Sequence, residues 1–155
     1  SNANLRVRSI SDMSYVDGKV LVSGMSNEDF ASDLRSIAFP FKTAAEKSTG
    51  IRIWHSAHGR YETAAPVDKF IPYTIGNKQY ILASYACTPL VKIPVDSLKP
   101  GAKVQGETIA EIGNHNTPLE LTWTIIPLAL VCTTCSRLTF LLAPPSVPPA
   151  CTNGR

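Results

Sequence analysis

Tyr15-Val16-Asp17-Gly18-Lys19-Val20-Leu21-Val22-Ser23 sets an Asp-Gly dipeptide between two runs rich in apolar and β-branched residues. Asp and Gly accept the positive φ of a tight two-residue turn, so the stretch predicts two antiparallel strands joined as a hairpin. Outward from it the same grammar recurs. Ile75-Gly76-Asn77-Lys78 lies between the β-rich runs 70–74 and 80–85. Ile51-Arg52-Ile53-Trp54-His55 alternates with period 2, as a half-buried strand should. Leu90-Val91-Lys92-Ile93-Pro94-Val95 is a further short strand, and its Pro94 confines it to an edge or a strand end. Residues 108–112 close the series. One segment reads differently. Ser26-Asn27-Glu28-Asp29-Phe30 opens like a capped helix with Phe30, Leu34 and Ile37 on one face, which predicts one or two helical turns between strands.

The chain has 155 residues, 44% of them hydrophobic and 17% charged, with 12 Pro, 9 Gly and 4 Cys. That length supports about one domain with its own core, and the composition is neither disordered nor coiled-coil. A net charge of +3, evenly spread, gives no footprint for nucleic acid or an anionic membrane surface. Ser1-Asn2-Ala3 has the form of a scar left by tag cleavage, and no signal peptide is visible after it. Residues 4–123 are therefore read as the organised region and 124–155 as an atypical tail. From residue 121 onward the chain holds no acidic residue, two charged ones (Arg137 and Arg155), three of the four cysteines and five of the twelve prolines. A Pro-rich terminal segment and a shift of reading frame both account for that change. A membrane span over residues 125–143 is disfavoured by Pro127, Arg137 and the lack of flanking anchors.

A weak internal repeat organises the rest. Met13-Ser14-Tyr15, an Asp-Gly turn and Val20-Leu21-Val22-Ser23 make one unit; Ile71-Pro72-Tyr73, a Gly-Asn turn and Ile81-Leu82-Ala83-Ser84 make a second. Tyr15 and Tyr73 are 58 positions apart, and Ser23 and Ser84 are 61 apart. A third unit starts at Thr117-Pro118-Leu119-Glu120-Leu121 and is expected to stop short of its hairpin where the composition changes. All-β repeats with a hairpin near each start point to propeller blades.

On these residues, and on Thr88-Pro89-Leu90-Val91-Lys92-Ile93-Pro94, the chain resembles blades of bacterial β-propeller proteins of the uncharacterised, secreted kind. The likeness covers about three quarters of the chain. Neither a Trp-Asp blade ending nor a kelch double glycine is present. The resemblance implies an all-β fold with blades of four antiparallel strands, two blades plus the start of a third, followed by the apolar tail. It also implies a periplasmic or secreted location. A closed ring needs about four or more blades, so the chain is expected to self-associate or to be a portion of a longer protein.

Chemistry-bearing residues are few. His55, His58 and Glu62 form His-x2-His-x3-Glu at a strand end, and two imidazoles with a carboxylate suit zinc or copper. The spacing matches no established motif, and His55 shares a strand face with Ile51 and Ile53, where a packed, hydrogen-bonded histidine is the commoner outcome. Arg60 and Tyr61 offer a cation and a phenol to an anionic ligand. Cys132-Thr133-Thr134-Cys135 has redox or half-zinc spacing, but no second Cys pair, haem histidine or βαβ pattern accompanies it, and coincidence is the leading reading. Cys151 would add at most a third sulfur, and Cys87 reads as a small buried residue. No phosphate-binding glycine loop, nucleophile elbow or His-Glu-x2-His is present. A binding or scaffold module without a cofactor is the expected function, with no nucleic-acid or membrane partner. The alternative is a propeller-type enzyme or metalloprotein, of quinoprotein-like dehydrogenase or lactonase class, that uses His55, His58 and Glu62.

Overall fold

The computed structural model describes residues 8–42, 47–86, 89–113, 117–125, 128–134 and 139–142, with the backbone alone beyond Thr122. Thirteen strands form there: β1 (Asp12–Val16), β2 (Lys19–Met25), β3 (Ser32–Ala38), β4 (Thr49–His55), β5 (Arg60–Glu62), β6 (Val67–Ile75), β7 (Lys78–Tyr85), β8 (Pro89–Pro94), β9 (Lys103–Gln105), β10 (Glu107–Glu111), β11 (Pro118–Ile125), β12 (Leu128–Thr134) and β13 (Thr139–Leu142). The fold is all-β, and two 3-10 turns, Ser56–His58 and Val95–Ser97, are the only helical geometry among the described residues.

Both expected hairpins form in the expected register. Val16 pairs with Lys19 across Asp17 (φ 45°) and Gly18 (φ 75°), the double positive φ of a type I′ turn. Ile75 pairs with Lys78 across Gly76 (φ 60°), the single positive φ that marks type II′. Pro94 is the last residue of β8, where its missing N–H interrupts no ladder.

The helix expected from Ser26 onward does not form. Ser26 does cap, but it caps a turn: its Oγ accepts the N–H of Glu28 at 3.3 Å, and its own N–H donates to the Ala31 carbonyl at 2.7 Å. Residues 32–38 then run as β3, paired with β2 from Met25↔Ser32 to Lys19↔Ala38. Strand pairing along seven residues overrides a weak helical spacing.

Three antiparallel meanders follow one another in the sequence. The first sheet has the order β1-β2-β3-β4-β5, with β9 added parallel to β4; the second is β10-β8-β7-β6; the third is β11-β12-β13. The expectation that the third unit lacks its hairpin is corrected here, because Ile125 and Leu128 pair at the turn of β11 with β12. Apolar residues alternate along the middle sheet so as to serve two cores. Ile81, Ala83, Tyr85, Val91 and Ile93 pack with Leu21, Leu34, Ile51 and Ile53 of the first sheet. Leu82 and Leu90 point the other way, onto Ile112 and Leu121. Period 2 thus makes the middle sheet apolar on both faces. β6 lies beside both β1 and β11, and β10 lies beside β4. The first strands of the three sheets, β1, β6 and β11, are thus neighbours through β6.

Candidate functional site

The β4–β5 hairpin carries the site. β4 is paired with β5 through its second half (Ile53↔Glu62, Trp54↔Tyr61, His55↔Arg60) and through its first half with β3 and β9, which flank it on opposite sides at Gly50 (Asp33↔Gly50 and Gly50↔Lys103). The connection is the 3-10 turn Ser56–His58 followed by Gly59, whose φ of 61° lets the chain reverse into β5. The Ser56 N–H donates to Glu111 Oε1 at 3.3 Å, and the Ser56 hydroxyl hydrogen-bonds the same oxygen. The Thr108 hydroxyl donates to the Trp54 carbonyl at 2.7 Å. The loop is therefore anchored to β10, in the neighbouring sheet.

Register decides which side chains meet. Positions 53, 55, 60 and 62 share one face of the hairpin, and positions 54 and 61 share the other. On the first face His55, His58 and Glu62 converge, their ligand atoms all within 4.8 Å of one another. His55 Nδ1 lies 2.8 Å from Glu62 Oε2, and His58 Nδ1 lies 2.7 Å from Glu62 Oε1. The two imidazole centroids are 4.1 Å apart. His55 is 2% exposed, as its shared face with Ile51 and Ile53 requires, whereas His58 is 45% exposed and opens the group to solvent. Arg60 Nε donates to Glu62 Oε1 at 3.1 Å from an exposed position.

Burial pushes the Glu62 carboxyl pKa up, but the bonds from His55, His58 and Arg60 outweigh it and bring the value down to about 2. The carboxylate is thus ionised at neutral pH and can only accept, so both Nδ1 atoms donate to it. Two imidazoles on one carboxylate can act as a proton-relay pair or, with the protons moved, as nitrogen and oxygen ligands to a metal ion.

Arg60 and Tyr61, adjacent in sequence, fall on opposite faces of β5. Tyr61 instead stacks edge-on against Trp54 at 5.1 Å, under the Arg52 guanidinium at 4.9 Å. Arg52 donates to Gln105 Oε1 at 2.7 Å, and Gln105 in turn reaches the Tyr61 hydroxyl at 3.3 Å. The cation that Tyr61 meets is therefore Arg52, its neighbour on the same β4–β5 hairpin, and β9 delivers Gln105 to the pair from far downstream. Cys132 lies on β12, opposite Leu121 and Phe140. Cys87, Cys135 and Cys151 lie outside the described residues.

Two clefts among the described residues leave no mark in the sequence. One, of about 480 Å³, is bounded by the turn after β2 and by β9, and sets Glu28 and Asp29 against Arg35, Lys47 and Lys103. The other, of about 620 Å³, opens between the first two hairpins beside Tyr15, Asp17, Tyr73 and Gln79. Both depend on loops brought together by sheet packing, so neither leaves a local sequence signal. No helix among the described residues is long and apolar enough to cross a membrane. Comparison with protein-family models, with curated proteins and with solved structures finds no match to this chain.

Proposed function

We propose that the chain is a β-propeller-type binding or scaffold module whose three meanders are successive blades of an incomplete ring. The supporting observation is the way the meanders stack: β6, the first strand of the second sheet, lies beside the first strands of both other sheets, β1 and β11. In a propeller the first strand of each blade lines the central channel, and ligands bind where loops of several blades converge. The cleft between the β1–β2 and β6–β7 turns has that relation to the two hairpins.

The first sheet also presents an exposed apolar strip. Met13, Tyr15, Phe39 and Phe41 are each more than half exposed. Tyr15, Phe39 and Phe41 form an edge-to-face ladder at 6.0 and 5.4 Å. A contiguous aromatic surface of that kind marks an interface, and here a further blade or a second copy would cover it. Sedimentation velocity over a concentration series tests the reading. Closure by association gives a discrete multiple of the chain mass. A chain that stays monomeric at every concentration, both alone and when extended into its flanking coding sequence without gaining further meanders, overturns it.

A further inference from the structure

We propose that His55, His58 and Glu62 form a binding site for one divalent transition-metal ion of the zinc class, with an open coordination position toward solvent. The proposal does not depend on the propeller reading, since it rests on the β4–β5 hairpin alone.

Three observations carry it. The donor set is two imidazoles and one carboxylate, which suits zinc, cobalt, nickel or copper and disfavours calcium and magnesium, whose sites are built from oxygen. The atoms are already gathered: each Nδ1 faces a different oxygen of one carboxylate, at 2.8 and 2.7 Å. Ligands of a tetrahedral ion sit roughly 3.3–3.5 Å apart, given bonds of about 2.0–2.1 Å, so insertion needs the two nitrogen–oxygen contacts to open by about half an ångström or a little more and the widest pair, within 4.8 Å, to draw together. The scaffold is also fixed beforehand, by strand pairing at His55 and Glu62 and by the Ser56–Glu111 contact under the turn. On binding, the ion takes the place of the two shared protons, and each imidazole proton moves to Nε2. His58, the most exposed of the three, leaves the fourth position to water or an anion.

One neighbour opposes a cation. Arg60 Nε lies 3.1 Å from Glu62 Oε1, but the side chain is 71% exposed and can turn to solvent when the carboxylate charge is engaged. This gives the proposal an unusual signature, because removing Arg60 should tighten binding while removing a ligand loosens it.

The test is titration of the full chain, stripped with chelator, with Co2+ followed by visible absorption and then by Zn2+ competition. One equivalent of Co2+ is expected to give ligand-field bands without thiolate charge transfer. His58→Ala, a change at an exposed position that should not disturb folding, is expected to weaken binding at least about tenfold, in the range that changes around metal ligands cost. Glu62→Gln is expected to weaken it too, and Arg60→Gln to strengthen it. Absence of saturable binding overturns the site. So does binding unchanged by His58→Ala and Arg60→Gln, or a thiolate charge-transfer band, which would put the metal on the cysteines.

Discussion

The carboxylate of Asp12, on β1, accepts the backbone N–H of Phe70, on β6, at 2.9 Å, so strands of two different sheets are joined by a side chain reaching a main-chain edge. Ser11 reinforces the seam: its hydroxyl donates to the Val67 carbonyl. β6 is the outermost strand of its sheet, and its unpaired backbone groups would otherwise be open to other chains. Asp12→Ala leaves a part-buried N–H without a partner and should lower the unfolding free energy by about 1–3 kcal/mol. Asp12→Asn keeps an acceptor oxygen and should cost less. Urea denaturation of the two variants checks the order.

Stability should carry an acid limb that belongs to Glu62. Its carboxyl pKa falls from 4.5 to about 2 in the folded chain. A depressed folded pKa means that the stabilisation is complete above the unfolded value and is lost as pH drops from about 4.5 toward 2. Glu62→Gln should flatten that part of the pH–stability curve while leaving the neutral side unaffected in shape. An acid limb of equal steepness in the variant would show that other carboxylates are responsible. Thermal melts across the range read it directly.

Gly106 is where the chain passes from β9 in the first sheet to β10 in the second. A Cβ there would stand 2.4 Å from Val91 Cγ1 and 3.3 Å from Ile93 Cγ1. Gly106→Ala should therefore destabilise by about 1–3 kcal/mol through overpacking. Combining it with Val91→Ala frees the space, so the double variant should lose less than the sum of the single changes. Additive losses would contradict the contact.

Tyr15 and Phe39 meet edge to face at 6.0 Å, exposed to solvent. If this strip is the face that another blade covers, Tyr15→Ser with Phe39→Ser should reduce self-association, or binding of an apolar dye, with little change in the melting temperature. A large drop in melting temperature would instead mark the ladder as part of this chain's own packing.

Much of the fold is legible because the decisive signals are local. Asp17-Gly18 and Gly76-Asn77 specify turn types whose φ values the structure carries, and the apolar runs beside them can only be strands. The hairpin at β11–β12 leaves a fainter trace, since neither charge alternation nor a glycine turn marks residues 125–128. The region from Ser26 to Ala38 hides its strand for a different reason. Ser32, Asp33 and Leu34 are all buried, so β3 shows no inside–outside alternation, and three apolar residues at helical spacing filled the gap. His55, His58 and Glu62 could be singled out because a short hairpin places them within reach of one another. The contacts of Gln105 with Arg52 and Tyr61 and both clefts could not, because they are made by elements distant in the chain.

β9 returns to the first sheet after the second is almost complete, and only then does β10 close the second. The pairs Gly50↔Lys103 and Arg52↔Gln105 join residues more than fifty positions apart. The two sheets are thereby interlocked, and neither can detach without unzipping the other. Amide exchange should accordingly report them as a single cooperative unit with a common opening free energy. Such non-local pairing also delays folding, since these loops must close before their contacts form. Among the described residues the third meander has no such crossed strand, so it should open first.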